Sequence, residues 1–285
     1  MTEPTTTGAT TAEWLQTLIK SLDSAQTSPL GEVLPKFPSV EMQENTTGLS
    51  AEAALRHAHA FYTDVDRETK ALGRELGPTT RVLDFGFGWG RISRTLMEKI
   101  SIRNLYGVDV DSSFAELTRT LFDSDHFDVC APYPPTRFED GSFDLVVSYS
   151  VFSHLSERAC SEWMREFARI VKPGGLVIWT TRHDSFFDFC RWAAEQGDAV
   201  SGYVQGLGKL FPDLDDVRRR YRAGEIIHAS SHDVSGGGPR DASFYGETWI
   251  PEQFAHRAYA EHFNLAATCF DGSKYDQACF VFQRK

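Results

Sequence analysis

The chain has 285 residues, 41% hydrophobic and 24% charged, with a formal net charge of −11. That composition fits a globular chain large enough for one sizeable core; it holds no apolar run of the roughly 18–20 residues a membrane span needs, and its acidic balance argues against a nucleic-acid surface. The five cysteines (130, 160, 190, 269 and 279) lie far apart, are odd in number and form no C-x-x-C pair, which argues against a disulfide framework or a zinc site and for a reduced, cytoplasmic setting.

Residues 1–12 are small and polar, and read as a disordered tail with neither the basic flank nor the apolar core of a signal peptide. Trp14, Leu15, Leu18, Ile19 and Leu22 recur at helical spacing. A loop with Pro29, Pro35 and Pro38 follows, then a second helix from about Ser50 to Leu76, with Phe61 and Tyr62 as core candidates. Arg81 to Phe85 reads as a strand. It runs into Asp84-x-Gly86-x-Gly88-x-Gly90 and then a helical face of Ile92, Leu96, Met97 and Ile100. A strand, a Gly-rich turn and a helix make a ligand-binding elbow. The dinucleotide fingerprint G-x-G-x-x-G has one more residue between its last two glycines. A carboxylate two residues before the first glycine would repel a pyrophosphate and suits a ligand with an ammonium group.

Leu105 to Asp109 is a second strand ending in an acid, 23 residues after Gly86. An acid there in a βαβ unit binds ribose hydroxyls, and a carboxylate can accept from both. Asp111 is the rival acid, but it opens the helix Ser112 to Phe122 and reads as its N-cap. After a turn at Gly141, Phe143 to Ser148 is a nearly continuous apolar strand, as a buried parallel strand should be. A helix from about Ser156 buries Trp163, Met164, Phe167, Ile170 and Val171. Lys172-Pro173-Gly174-Gly175 stops it, and Leu176 to Thr181 forms a fifth strand.

The Asp84–Gly90 order resembles motif I of the class I S-adenosylmethionine (SAM)-dependent methyltransferases. The run from Asp140 to Leu155, with Arg169 to Gly175, is similar to motif IV and the following turn in their small-molecule members. The resemblance spans roughly residues 80 to 182. It implies a doubly wound, mostly parallel α/β sheet of about seven strands, Rossmann-like, with a C-terminal antiparallel hairpin. It also implies SAM as cofactor, held by Asp84, Gly86, Gly88, Gly90, Asp109, Val110, Ala131 and Tyr149. The family often carries an adenine-reading acid after the third strand. Here the segment Asp128 to Pro135 has none at the matching place, so adenine is expected against backbone near Ala131 and apolar contacts at Val110 or Tyr133.

The expected organisation is an N-terminal tail and helical cap over 1–78, and a SAM-binding domain over 79–285 with an inserted lid at 182–247. The lid begins with Phe186, Phe187, Phe189 and Trp192 and ends near Ser235 to Pro239. Within it, Arg218 to Arg222 reads as a solvated helix face, with a phosphate or carboxylate grip as the alternative. A helix at Ile250 to His262 and strands at Phe263 to Phe270 and Ala278 to Gln283 complete the chain.

Methyl transfer to a hydroxyl often needs a base. His154, after the fourth strand, is placed ahead of His183, which follows the fifth; His228, His232, Tyr245 and Glu247 are further candidates. The expected function is methylation of a small molecule, first an O-acceptor such as a sugar or secondary metabolite, with no nucleic acid, membrane or metal and with an oligomer compatible. The alternatives are an RNA or protein methyltransferase, an NAD(P)-dependent oxidoreductase, and a non-catalytic SAM-binding protein.

Overall fold

A computed structural model describes residues 11–231, 234 and 237–285. Most of the expected polar tail, His232 and part of the 235–239 loop lie outside the described residues. Three helices come first: α1 (Thr11–Lys20), α2 (Val40–Thr47) and α3 (Ala51–Ala71). Helix α2 falls in a stretch read from sequence as loop and helix start. Its local signals are Ser39, whose side chain accepts from the Met42 N–H, and Gly48, which closes it at φ 70°. Strands β1 (Val82–Phe85), β2 (Leu105–Asp109), β3 (Phe127–Val129), β4 (Phe143–Ser148) and β5 (Val171–Arg182) alternate with α4 (Arg91–Leu96), α5 (Ser112–Phe122) and α6 (Glu157–Ile170).

The main sheet has seven strands in the order β3-β2-β1-β4-β5-β9-β8, where β8 is Phe263–Cys269 and β9 is Gln277–Arg284. The first five are parallel; β9 runs antiparallel to β5, and β8 antiparallel to β9. Successive side chains point to opposite faces. Leu145, Val147, Ile178 and Val281 therefore join the core under α1 and α3, whereas Val146, Val177, Trp179 and Phe280 join the core under α6.

The Lys172–Gly175 run is not a turn before the fifth strand, as read from sequence, but lies inside it. Val171 already pairs with Phe143, and the next pairing, Leu176 with Leu145, sets four intervening residues on β5 against one on β4, an irregularity that absorbs three extra residues. Gly174, at φ 73°, permits the kink. The N-terminal segment is fixed by buried polar contacts. Trp14 Nε1 donates to the Thr95 carbonyl at 2.9 Å, and buried Arg94 donates to the Pro35 and Lys36 carbonyls at 3.0 and 2.9 Å.

Between β5 and β8 the chain inserts α7 (Phe186–Gln196), α8 (Gly202–Lys209), α9 (Leu214–Arg222) and the two-stranded β6 (Ile227–Ala229) and β7 (Glu247–Trp249), then α10 (Glu252–Ala258). The insert has its own apolar cluster, in which Phe187 stacks on Trp249 at 4.7 Å. The Arg218–Arg222 run is neutralised locally: Arg218 and Arg222 pair with Asp184, Arg219 with Asp216 and Arg220 with Glu225. Among the described residues, no helix is long and apolar enough to cross a membrane.

Phe152 stacks on Trp179 at 4.7 Å in the α6-side core, and both are fully buried. Phe152→Ala should cost roughly 3–5 kcal/mol of unfolding free energy in urea. A loss under about 1 kcal/mol would mean that this stack does not anchor the β4–α6 connection.

Candidate active site

A cavity of about 980 Å³ opens at the carboxyl ends of β1, β2, β4 and β5. That is where the strand order reverses between β1 and β4, and where doubly wound sheets bind ligands. The segment Glu44–Leu49 at the end of α2 covers one side, and the insert covers another through Phe186, Phe189, Tyr203, Phe244 and Tyr245.

The three loop glycines all have positive φ but do different work. A Cβ on Gly86 would lie 2.3 Å from Val151, and one on Gly90 would lie 2.4 Å from Phe122, so both glycines serve packing. A Cβ on Gly88 would meet only Thr46, at 3.6 Å, so at Gly88 the missing Cβ faces the open cavity. Asp109 sits beside it, accepting from the Gly88 N–H on Oδ2 and the Asp111 N–H on Oδ1, both at 3.0 Å. Each oxygen retains a lone pair. Asp111 caps α5, accepting from the Ser113 N–H at 3.0 Å.

Gly86, Gly88, Asp109, Val110, Tyr149 and His154 thus line one cavity. Asp84, Gly90, Ala131 and His183 do not line it. Asp84 is 1% exposed beneath the loop, where its Oδ2 accepts from Ser93 Oγ at 2.6 Å. Ala131 is exposed, while its neighbours Cys130 and Pro132 line the wall. His183 stacks on Phe270 at 3.5 Å, and its Nδ1 contacts Ser185.

The central wall holds residues that sequence reasoning missed. Arg91 Nη1 donates to His57 Nδ1 at 2.9 Å and lies over the Tyr149 ring at 5.3 Å. Because Arg91 can only donate, His57 must accept on Nδ1 and carry its hydrogen on Nε2, which lies 3.2 Å from the Tyr149 hydroxyl. Burial, with Arg91 beside it, lowers His57 to about 4, so the imidazole is neutral near pH 7. Among the described residues Arg91 has no ion pair. A cation in the first turn of a helix opposes the helix dipole, and that misfit was the available sequence signal.

The far wall is built on Arg182 at the end of β5. Its Nε donates to Glu247 at 2.8 Å, its Nη2 to the Tyr203 hydroxyl at 2.9 Å and its Nη1 to Asp276 at 3.3 Å. Glu247 is fully buried. Burial alone would raise its pKa, but Arg182 and His154 outweigh that and hold it at about 2. His154 Nδ1 lies 2.7 Å from the Gly246 carbonyl and 3.1 Å from Glu247 Oε1. Both are acceptors, so Nδ1 carries the hydrogen and Nε2 is left as the basic nitrogen. Arg182, Asp276 and Gln277 carried no sequence motif; the one hint was a charge ending an otherwise apolar strand.

Burial pushes Asp84 from 3.8 up to about 7, against the bond from Ser93. Between those pH values the folded state binds more protons than the unfolded state, so this group costs stability as pH rises. Asp84→Asn should therefore be more stable than the parent at pH 8, by up to about 4 kcal/mol, with the gap closing toward pH 4. Urea titrations at both pH values test this; equal gaps would refute the linkage.

Residues 83–179 match the family model for a methyltransferase domain. The chain is 31% identical over 126 residues to the sarcosine/dimethylglycine N-methyltransferase of Halorhodospira halochloris (41% of this chain, 44% of that protein). It is 32% identical over 117 residues to the 2-methyl-6-phytyl-1,4-hydroquinone methyltransferase of Synechocystis (38% and 35%). Over 132 residues it is 28% identical to the N-terminal Xaa-Pro-Lys N-methyltransferase 1 of Mus musculus (43% and 59%). The chain thus spans about half or less of the first two relatives, and the family match covers the glycine loop and Asp109. Residues 83–179 thus carry a methyltransferase domain, in keeping with the resemblance to the class I SAM-dependent methyltransferases.

Proposed function

We propose that the chain methylates a hydroxyl group of a small molecule, a sugar or secondary metabolite, with His154 as the base. The observation that carries this reading is the His154–Glu247 pair, in which His154 lines the same cavity as the glycine loop and fully buried Glu247 holds its ring. The residues on the near side suit SAM: Gly88 leaves room for close backbone approach, Asp109 retains acceptor sites for a ribose, and Val110, Cys130 and Pro132 offer an apolar wall for adenine. Buried Arg91 and the Tyr149 hydroxyl suit the carboxylate of the methionyl end. When bound, SAM supplies an electrophilic methyl group on a sulfonium.

The chain's own residues then have two tasks, alignment and proton removal. His154 Nε2 takes the acceptor proton, the Gly246 carbonyl and Glu247 hold the ring through Nδ1, and the Glu247 carboxylate stabilises the imidazolium that forms. Arg182 and Tyr203 keep that carboxylate in place. The insert at 182–247 acts as a lid, since aromatic residues from α7, α8 and the turn before β7 form the acceptor wall.

Asp109→Ala should weaken S-adenosylhomocysteine binding by roughly 2–3 kcal/mol in calorimetry, and Asp111→Ala by much less. Reversed losses would move the ribose contact to Asp111; NADH binding without SAM binding would sink the cofactor reading. On an acceptor panel read by S-adenosylhomocysteine formation, His154→Ala should lower kcat roughly 10²–10⁴-fold with cofactor affinity nearly unchanged. Full kcat in His154→Ala, with loss instead in His183→Ala, would transfer the role.

A further inference from the structure

Cys269 ends β8 and Cys279 lies in β9, and the two stand directly opposite in the antiparallel register. Directly opposed residues in such a pair have Cα atoms about 4.5–5.5 Å apart and share a face of the sheet. A disulfide asks for roughly 4.4–6.8 Å between Cα atoms. Both thiols are free; Cys269 is half-buried and Cys279 fully buried. We infer that Cys269 and Cys279 form a two-thiol modification site that accepts a low-molecular-weight disulfide and closes into one cross-strand bond.

The two positions have the asymmetry that exchange requires. A hydrogen bond from Cys279 holds the Cys269 thiol below its ordinary range, whereas the bond to Cys269, together with burial, raises Cys279. The groups facing the pair from α3 are Asp64 and Glu68, which disfavour a thiolate, and Arg67, which favours one at Cys269. The more exposed and more acidic thiol is therefore the attacker. The Cys269 thiolate attacks one sulfur of the small disulfide and releases one small thiol. Once Cys269 is capped, the bond that raised Cys279 is gone. Cys279 then loses its proton, attacks the Cys269 sulfur and expels the second small thiol. Two protein thiols lose two hydrogens and two electrons, and the small disulfide becomes two thiols.

The location gives the bond a consequence. The two cysteines flank the turn that presents Asp276 and Gln277 to the cavity and seats Phe270 on His183. Tyr275 of the same turn donates to Asp64 Oδ2 at 2.6 Å. Closing the pair ties the base of this turn and removes freedom from the unfolded chain.

The test uses the full chain, reduced and then incubated with oxidised glutathione. Intact mass should fall by two hydrogens, a non-reduced peptide map should join Cys269 to Cys279, and Tm should rise. Cys279→Ala should stop at one glutathione on Cys269, and Cys269→Ser should give neither product nor Tm rise. An unchanged mass, a link between other cysteines, or an adduct elsewhere in Cys279→Ala would overturn the proposal. If Cys279→Ala does not fold, the parent map and Cys269→Ser decide alone. S-adenosylhomocysteine binding is a separate readout, so failure here leaves the reading of the active site untouched.

Discussion

The buried ion pair between Arg182 and Glu247 is the constraint on which the acceptor side of the molecule depends. Arg182 is 7% exposed and Glu247 fully buried, so neither charge is well solvated. A buried pair survives only if its geometry is good and the remaining hydrogen-bonding groups are satisfied; removing one partner typically costs about 3–5 kcal/mol. Here the remaining groups are met by three parts of the chain: Tyr203 from α8, His154 from the β4–α6 connection, and Asp276 from the β8–β9 turn. The pair therefore joins the insert to the sheet and sets the hydrogen on the His154 ring with the same contacts.

The cofactor side uses charge in the opposite way. Arg182 has two acidic neighbours, whereas Arg91 has a neutral imidazole and a tyrosine. Burial lowers the pKa of Arg91, which means that its charged form lacks compensation inside the chain. A desolvated cation with a neutral hydrogen-bond partner is suited to an anion that arrives from outside. Beneath it, Asp84 is the nearest source of opposite charge, and burial shifts that acid toward neutrality. The glycine loop thus rests on a pair of groups whose charges are only partly fixed until a ligand completes them.

The parallel sheet was legible because its signals are local. Nearly continuous apolar runs, the glycine order and the acid at the end of β2 each lie within a few residues, and Asp111 caps α5 as its place before Ser112 suggests. Phe263 to Gln283 likewise read as the hairpin that pairs with β5. The far wall was not legible for a physical reason. Its hydrogen bonds join residues 21 to 94 positions apart, as between Arg182 and Tyr203, Glu247 or Asp276, and no periodicity encodes a contact of that kind. His57 was hidden differently: on an amphipathic helix among buried Leu55, Ala58 and Phe61 it reads as one more core position. The Lys172–Gly175 run misled because Pro and Gly stop helices and bulge strands with equal ease.

This division has a consequence for how the site can change. The near wall comes from β1, β2 and the glycine loop, where positive φ and packing against Val151 and Phe122 leave little freedom at Gly86 and Gly90. The aromatic wall of the cavity comes mostly from the insert, whose apolar cluster is separate from both faces of the sheet. Substitutions at Phe186 or Phe189 alter the shape of the cavity without touching Gly88 or Asp109. The Arg182 hub grows from the sheet and ends in the insert, and the Thr181 Oγ1 and Thr248 Oγ1 bonds to the Thr248 and Leu155 carbonyls tie the two together beside it. The shape of this side of the cavity is therefore free to vary in the insert, while the buried charge pair fixes one place where the insert docks.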